Sequence, residues 1–359
     1  MKSKNNLLLN LFLLILLTFF GELLARFLVD YKSDYYAVPK TVVGGKSNIH
    51  PFGSIPKNSH NHFDKEWDNP KLKKRYGYIG DSVIYGVGAG FPYRITEYLD
   101  IFDPTKEHVN LSAALENFLS EEKSQKSLID LIKNTKVDKI VYILNLTDLV
   151  EFAYLLNNEN TELNNNEVSI IPKNYVAEVK KFIFPLDIKL RGNSVLYTFF
   201  RYKTKNFLVT QFGLNFTGFR AIELEPVKFS DDIEQAAMNF AKLINKKNNF
   251  IDICILMLPY EMQVSTKAKN KYRDIGVKFE DEFINFYTQK LFISKFKESS
   301  KNDIYYLGNS FPESEVGEYF VYNLGDKIDF NHPNREGHKL IAKEISERKL
   351  CFWYENFLK

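Results

Sequence analysis

The chain has 359 residues, 45% of them apolar and 26% charged, which excludes an intrinsically disordered protein. Forty-eight Lys and Arg against 45 Asp and Glu leave a net charge of +3, too small to argue for a nucleic-acid binder. Only Cys254 and Cys351 occur, so no disulfide framework and no cysteine metal knuckle is expected, and Cys254, inside the apolar run Ile251–Leu258, reads as a small buried residue.

Residues Leu7–Val29 form a mostly apolar stretch, interrupted by Asn10, Glu22 and Arg26. At about 1.5 Å of rise per residue it is roughly 35 Å long, enough to cross a hydrocarbon core of about 30 Å. Glu22 and Arg26 are spaced i,i+4 and share a face, where they can pair near the membrane boundary. Lys2 and Lys4 before an apolar core also fit a cleavable signal peptide, but no small-x-small cleavage site follows Phe20. A buried core helix is disfavoured because the stretch is apolar all round. The expectation is an uncut anchor over residues 1–30, with the rest of the chain outside the cytoplasm.

Residues 31–74 carry Pro39, Gly44, Gly45, Pro51, Gly53 and Pro56 without long apolar periodicity, and read as a stalk that later packs on the domain. From residue 75 to 350 short apolar runs alternate with helical patterns. Strands are expected near Tyr76–Ile79, His108–Leu111, Lys139–Leu146, Phe250–Leu258 and Ile304–Leu307. Helices are expected near Pro92–Leu99, Glu121–Lys133, Ile233–Asn245, Phe279–Phe292 and Glu336–Arg348. That alternation predicts an α/β fold: a flavodoxin-like, three-layer α/β/α sandwich around a mainly parallel five-stranded sheet. Residues 351–359 form a tail.

Residues 151–226 break the rhythm as an insertion. Its Ile170–Lys205 portion holds eight Lys or Arg against two acids, interleaved with Phe and Tyr. Such a segment suits a lid, a saccharide-binding rim, a surface resting on anionic lipid, or a small helical subdomain with an aromatic core. No recognised nucleic-acid module accompanies it, and none of His50, His60, His62 and His108 has metal-ligand spacing. His338 reads as packed or solvent-facing on the last helix. Asn110, Asn145 and Asn215 fit a glycosylation pattern, and none is read as modified.

Tyr78-Ile79-Gly80-Asp81-Ser82 ends the first strand, where open α/β sheets bind ligands. A serine on this turn can expose its hydroxyl, although Asp and Ser also simply cap helices. Asp329-Phe330-Asn331-His332 precedes the last helix and supplies a base and a carboxylate to orient it; an ordinary capping turn is the plainer reading. Together, Gly-Asp-Ser at the first strand and Asp-x-x-His before the last helix resemble the SGNH (GDSL) hydrolase superfamily.

The resemblance implies Ser82 as nucleophile, His332 as general base and then acid, and Asp329 as its orienter, without metal or organic cofactor. Its oxyanion blocks look like Asn110 to Leu115, with Leu115 in place of glycine, and Asn145-Leu146-Thr147-Asp148, with Thr147 in place of asparagine. Leu115, Thr147 and Asn145 are thus the candidate oxyanion donors. Leu258-Pro259-Tyr260-Glu261-Met262-Gln263 and the Gly21 to Arg26 helix end are similar to membrane-anchored bacterial members that act on cell-surface polysaccharide. The expected activity is a serine esterase or O-acyl transferase acting on an acylated carbohydrate or other small ester. The competing expectation is a catalytically weak polysaccharide-binding or assembly factor that keeps the fold.

Overall fold

The computed structural model describes residues 2–28, 55–119, 124–154, 186, 190, 194–212, 221–274, 277–321 and 331–351. They belong to two compact units, one with the Lys2–Leu28 and Val195–Phe212 helices and one with the sheet and its helices.

The sheet unit contains five strands: β1 (Lys74–Gly80), β2 (Lys106–Asn110), β3 (Lys139–Leu144), β4 (Asp252–Met257) and β5 (Ile304–Tyr306). All pair in parallel, in the order β2-β1-β3-β4-β5. This is the strand order of doubly wound sheets, whose switch point falls between β1 and β3, the strands from which the chain winds outward in opposite directions. Every residue of β3 is buried, as a central parallel strand covered on both faces requires.

Alternation along the strands divides the core. Tyr76, Tyr78, Val141, Ile143, Cys254 and Leu256 cluster with Ile95, Leu99, Ile341, Ala342 and Ile345, which come from the Ile95–Phe102 and Arg335–Glu347 helices. On the other face the Tyr142 ring meets Phe118, Phe152 and Phe240, and Phe240 continues to Phe292 and Phe296. Each buried Val, Leu, Ile or Phe among them contributes about 1.5–3 kcal/mol. The expected α/β architecture is therefore present, with helices against both faces. The helix expected over Phe279–Phe292 is interrupted: it breaks into Asp281–Ile284 and Tyr287–Ser299 where Phe286 turns left-handed (φ 61°).

One feature departs from the sequence reading. Cys254 in β4 is disulfide-bonded to Cys351 beyond the last helix, 97 residues away. Cys254 is buried as expected, but its packing serves a covalent tie that two isolated cysteines do not announce. Asp64 and Trp67, within the expected stalk, are buried, and Asp64 pairs with Arg94.

In the other unit, Lys2–Leu28 is one continuous helix covering most of the apolar stretch. Among the described residues no helix is long and apolar enough to cross a membrane; the expected anchor runs on to Val29, outside them.

Candidate active site

The serine turn is built by three local devices. Asp81 caps the Ser82–Tyr85 helix, its Oδ1 accepting from the Val83 amide at 2.9 Å. Gly86 ends that helix with φ +99°, a conformation glycine adopts freely, and a Cβ there would lie 2.5 Å from the Arg94 Cδ. Asn110, at the end of β2, donates from Nδ2 to the Ile84 carbonyl at 2.5 Å. This asparagine thus fixes the serine helix. Its own backbone amide donates to Asp64 Oδ2 at 2.8 Å.

The histidine turn is fixed in a similar way. Val321 donates to the His332 carbonyl at 2.9 Å, and Asn334 donates its amide to the Tyr319 carbonyl. Asn334 caps the Arg335–Glu347 helix through Oδ1, which accepts from the Glu336 and Gly337 amides. The expected capping turn and the histidine site are one structure.

These two turns meet. Ser82 Oγ lies 2.7 Å from His332 Nε2, both residues half-buried. Several contacts hold the segments together. Gly88, at φ +95°, packs so closely on Pro333 that a Cβ would come 2.5 Å from its carbonyl oxygen. Arg335 stacks over the Tyr93 ring at 4.1 Å and donates to the Ala89 carbonyl at 3.3 Å. His338 Nδ1 accepts from the Ile95 amide at 3.1 Å. Burial, opposed by Glu97, lowers the His338 pKa to about 3, so its imidazole is neutral and able to accept that bond.

Asp329 lies outside the described residues. The three expected oxyanion donors separate. Leu115 stands in the right-handed helical region (φ −55°), and its amide donates to the Ser112 carbonyl. A helical leucine with its hydrogen already committed is not an oxyanion donor, which corrects that expectation. Thr147 donates its hydroxyl to Asp81 Oδ2 at 3.1 Å. A hydroxyl has one hydrogen to give, so Thr147 braces the capping aspartate and is likewise corrected as a donor. Asn145 differs: it is 1% exposed, and neither its Nδ2 nor its Oδ1 has a partner among the described residues. It stands two residues past Ile143, which pairs with Gly80, itself two residues before Ser82. Buried amides are normally satisfied, so an idle one beside the serine strand is notable.

The surroundings are acidic and largely locked. Tyr260 donates to Glu223 Oε2 at 2.6 Å; burial first, then Glu223, Asp81 and Asp148, pushes its hydroxyl well above the usual phenol range. Beneath the serine turn, Arg94 bonds Asp64 and Glu97, all three buried. The sequence reading did not single out Asp64, Arg94, Glu223 or Tyr260 as partners. The available signal was the i,i+3 spacing of Arg94 and Glu97 at the start of the Ile95–Phe102 helix. Among the described residues no group of three or more His, Cys, Asp or Glu side chains is placed to hold a metal ion.

No protein-family model matches the chain, and no curated protein matches it in sequence.

Proposed function

We propose that this protein is a serine esterase or O-acyl transferase of SGNH type, acting on ester-linked acyl groups of a cell-surface carbohydrate. The observation that carries this reading is the 2.7 Å approach of Ser82 Oγ to His332 Nε2 across 250 residues of sequence. A hydroxyl is a weak nucleophile at neutral pH and needs a base at this range. In the proposed reaction Ser82 Oγ bonds to the ester carbonyl carbon while its proton passes to His332 Nε2. Collapse of the tetrahedral intermediate breaks the ester C–O bond, and the departing sugar oxygen takes the proton back. Water or a second sugar hydroxyl then resolves the acyl-enzyme, so hydrolysis and transfer share the first half-reaction. Asp329 orients the imidazole, and the idle Asn145 amide is the side-chain donor for the oxyanion.

The N-terminal helix anchors the protein in a membrane, with the sheet unit outside the cytoplasm. The Cys254–Cys351 disulfide supports this placement, because such bonds persist in oxidising compartments.

A second reading keeps the fold for polysaccharide binding or assembly with little catalysis. It is favoured by the loss of Leu115 and Thr147 as donors. Turnover of p-nitrophenyl acetate by the full chain in detergent micelles separates the two. The esterase reading expects turnover that falls by at least about 10³ in Ser82→Ala and in His332→Ala. Turnover unchanged in both variants contradicts it, and none in the folded wild type favours the binding reading.

A further inference from the structure

The active-site turns carry two tyrosines that the proposed chemistry does not use. Tyr85 stands three residues after Ser82 on the Ser82–Tyr85 helix. Residues three apart share a helix face, with Cβ atoms about 5–6 Å apart. Val83 and Ile84 are buried, whereas Ser82 and Tyr85 are both half-buried and lie on the open side. The Phe63 ring meets the Tyr85 ring edge-on at 5.6 Å and braces it. The Tyr85 hydroxyl has no hydrogen-bond partner among the described residues. Burial raises its pKa, so it keeps its proton and can donate.

Tyr93 comes from the loop that packs on the histidine turn. It precedes the Ile95–Phe102 helix, which lies between the parallel strands β1 and β2 in the chain and runs back against them. The start of that helix is therefore at the carboxyl ends of the strands, where doubly wound folds bind ligands. Arg335, three residues past His332, covers the Tyr93 ring at 4.1 Å, yet Tyr93 is still 37% exposed. Each of the two turns that meet at Ser82 and His332 thus carries a braced aromatic ring within reach of solvent.

A tyrosine is apolar on its ring faces and polar at its hydroxyl. A sugar ring has the same two-sided character, with faces of C–H groups and an edge of hydroxyls. An alkyl chain would use only the aromatic faces and leave the phenols unpaired. Rigid tyrosines also lose little entropy on binding. We propose that Tyr85 and Tyr93 form the sugar subsite of this active site, stacking on the ring that carries the ester, with the Tyr85 hydroxyl bonded to a sugar hydroxyl. This rests on reading the protein as an esterase of acylated carbohydrate, and it names the residues that select a sugar ring over a linear alcohol.

The test compares β-D-glucose pentaacetate with ethyl acetate, an acetyl ester without a ring, by acid release from the full chain in detergent micelles. The wild type is expected to prefer the sugar ester by at least about tenfold in kcat/KM. That preference falls at least about fivefold in Tyr85→Ala and in Tyr93→Ala, through a higher KM for the sugar ester. Tyr85→Phe keeps the ring and removes only the hydroxyl. Its preference falls about threefold, with the urea midpoint of wild type. A preference unchanged in all three variants overturns the subsite and leaves the esterase reading intact. Equal turnover of both esters by the wild type does the same. No turnover of either ester by the folded wild type contradicts the esterase reading, and the subsite falls with it.

Discussion

Asn145 and Thr147 stand two residues apart past β3, yet the Thr147 hydroxyl is committed to Asp81 whereas the Asn145 carboxamide has no partner among the described residues. That contrast divides their expected roles. On the proposed mechanism, Asn145→Leu removes the oxyanion donor and lowers kcat on p-nitrophenyl acetate by about 10²–10³. The same change replaces an unpartnered buried amide with an apolar group, so urea denaturation will show stability unchanged or raised by about 1 kcal/mol. Thr147→Val, which loses only the brace on Asp81, lowers kcat by less than about tenfold. Equal losses in both variants, or lost stability in Asn145→Leu, would contradict this division.

The Arg94 guanidinium is fully buried between Asp64 and Glu97 and bonds the Phe63 carbonyl at 2.8 Å. Arg94→Met strands two buried carboxylates and costs about 3–5 kcal/mol. Because the arginine stem also packs where Gly86 turns, the variant should also lose the proposed turnover of p-nitrophenyl acetate as the serine turn loosens. Chemical denaturation reads the first effect; a loss below about 1 kcal/mol would show the triad to be solvated.

Joining β4 to Cys351, just past the Arg335–Glu347 helix, the Cys254–Cys351 bond ties down the helix that follows His332. Cys351→Ser, or reduction of the wild type, is expected to lower stability by about 2–5 kcal/mol. Alkylation of the unreduced, denatured chain should modify neither cysteine. Two free thiols in protein purified without reductant would remove the disulfide's support for an oxidising compartment.

Burial lowers the pKa of His338 to about 3 and those of His62 and His108 to about 4. Each imidazole binds its proton more weakly in the folded chain than in the unfolded one, where it titrates near 6.5. Stability is therefore full above about pH 6.5 and falls as the pH drops towards about 4, each group adding up to about 1.4 kcal/mol per pH unit. Asp64, pushed up to about 6 by burial, acts in the opposite sense. His338→Gln isolates one imidazole, and its urea midpoint should decline less between about pH 7 and about pH 5 than that of wild type. An identical decline would place His338 in contact with water.

Much of this was legible in the sequence because it is local. The apolar runs at Lys139–Leu146 and Phe250–Leu258 became β3 and β4, since strand patterning depends on neighbouring residues. Ser82 and His332 were legible because each sits on a short turn with its own caps. The disulfide, the Arg94–Asp64 pair and the Tyr260–Glu223 bond were not, for their partners lie 30 to 97 residues apart and meet only through the tertiary fold. Leu115 and Thr147 misled for a related reason. Sequence position marks where a donor stands, but not whether its hydrogen is already given to Ser112 or to Asp81.

The most direct test of the central claim is fluorophosphonate labelling of the full chain, with the modified residue located by peptide mass. The account predicts one adduct, on Ser82, lost in Ser82→Ala and slowed at least about 10³-fold in His332→Ala. A folded wild type that takes no label, or takes it at another residue, would contradict a serine nucleophile activated by His332.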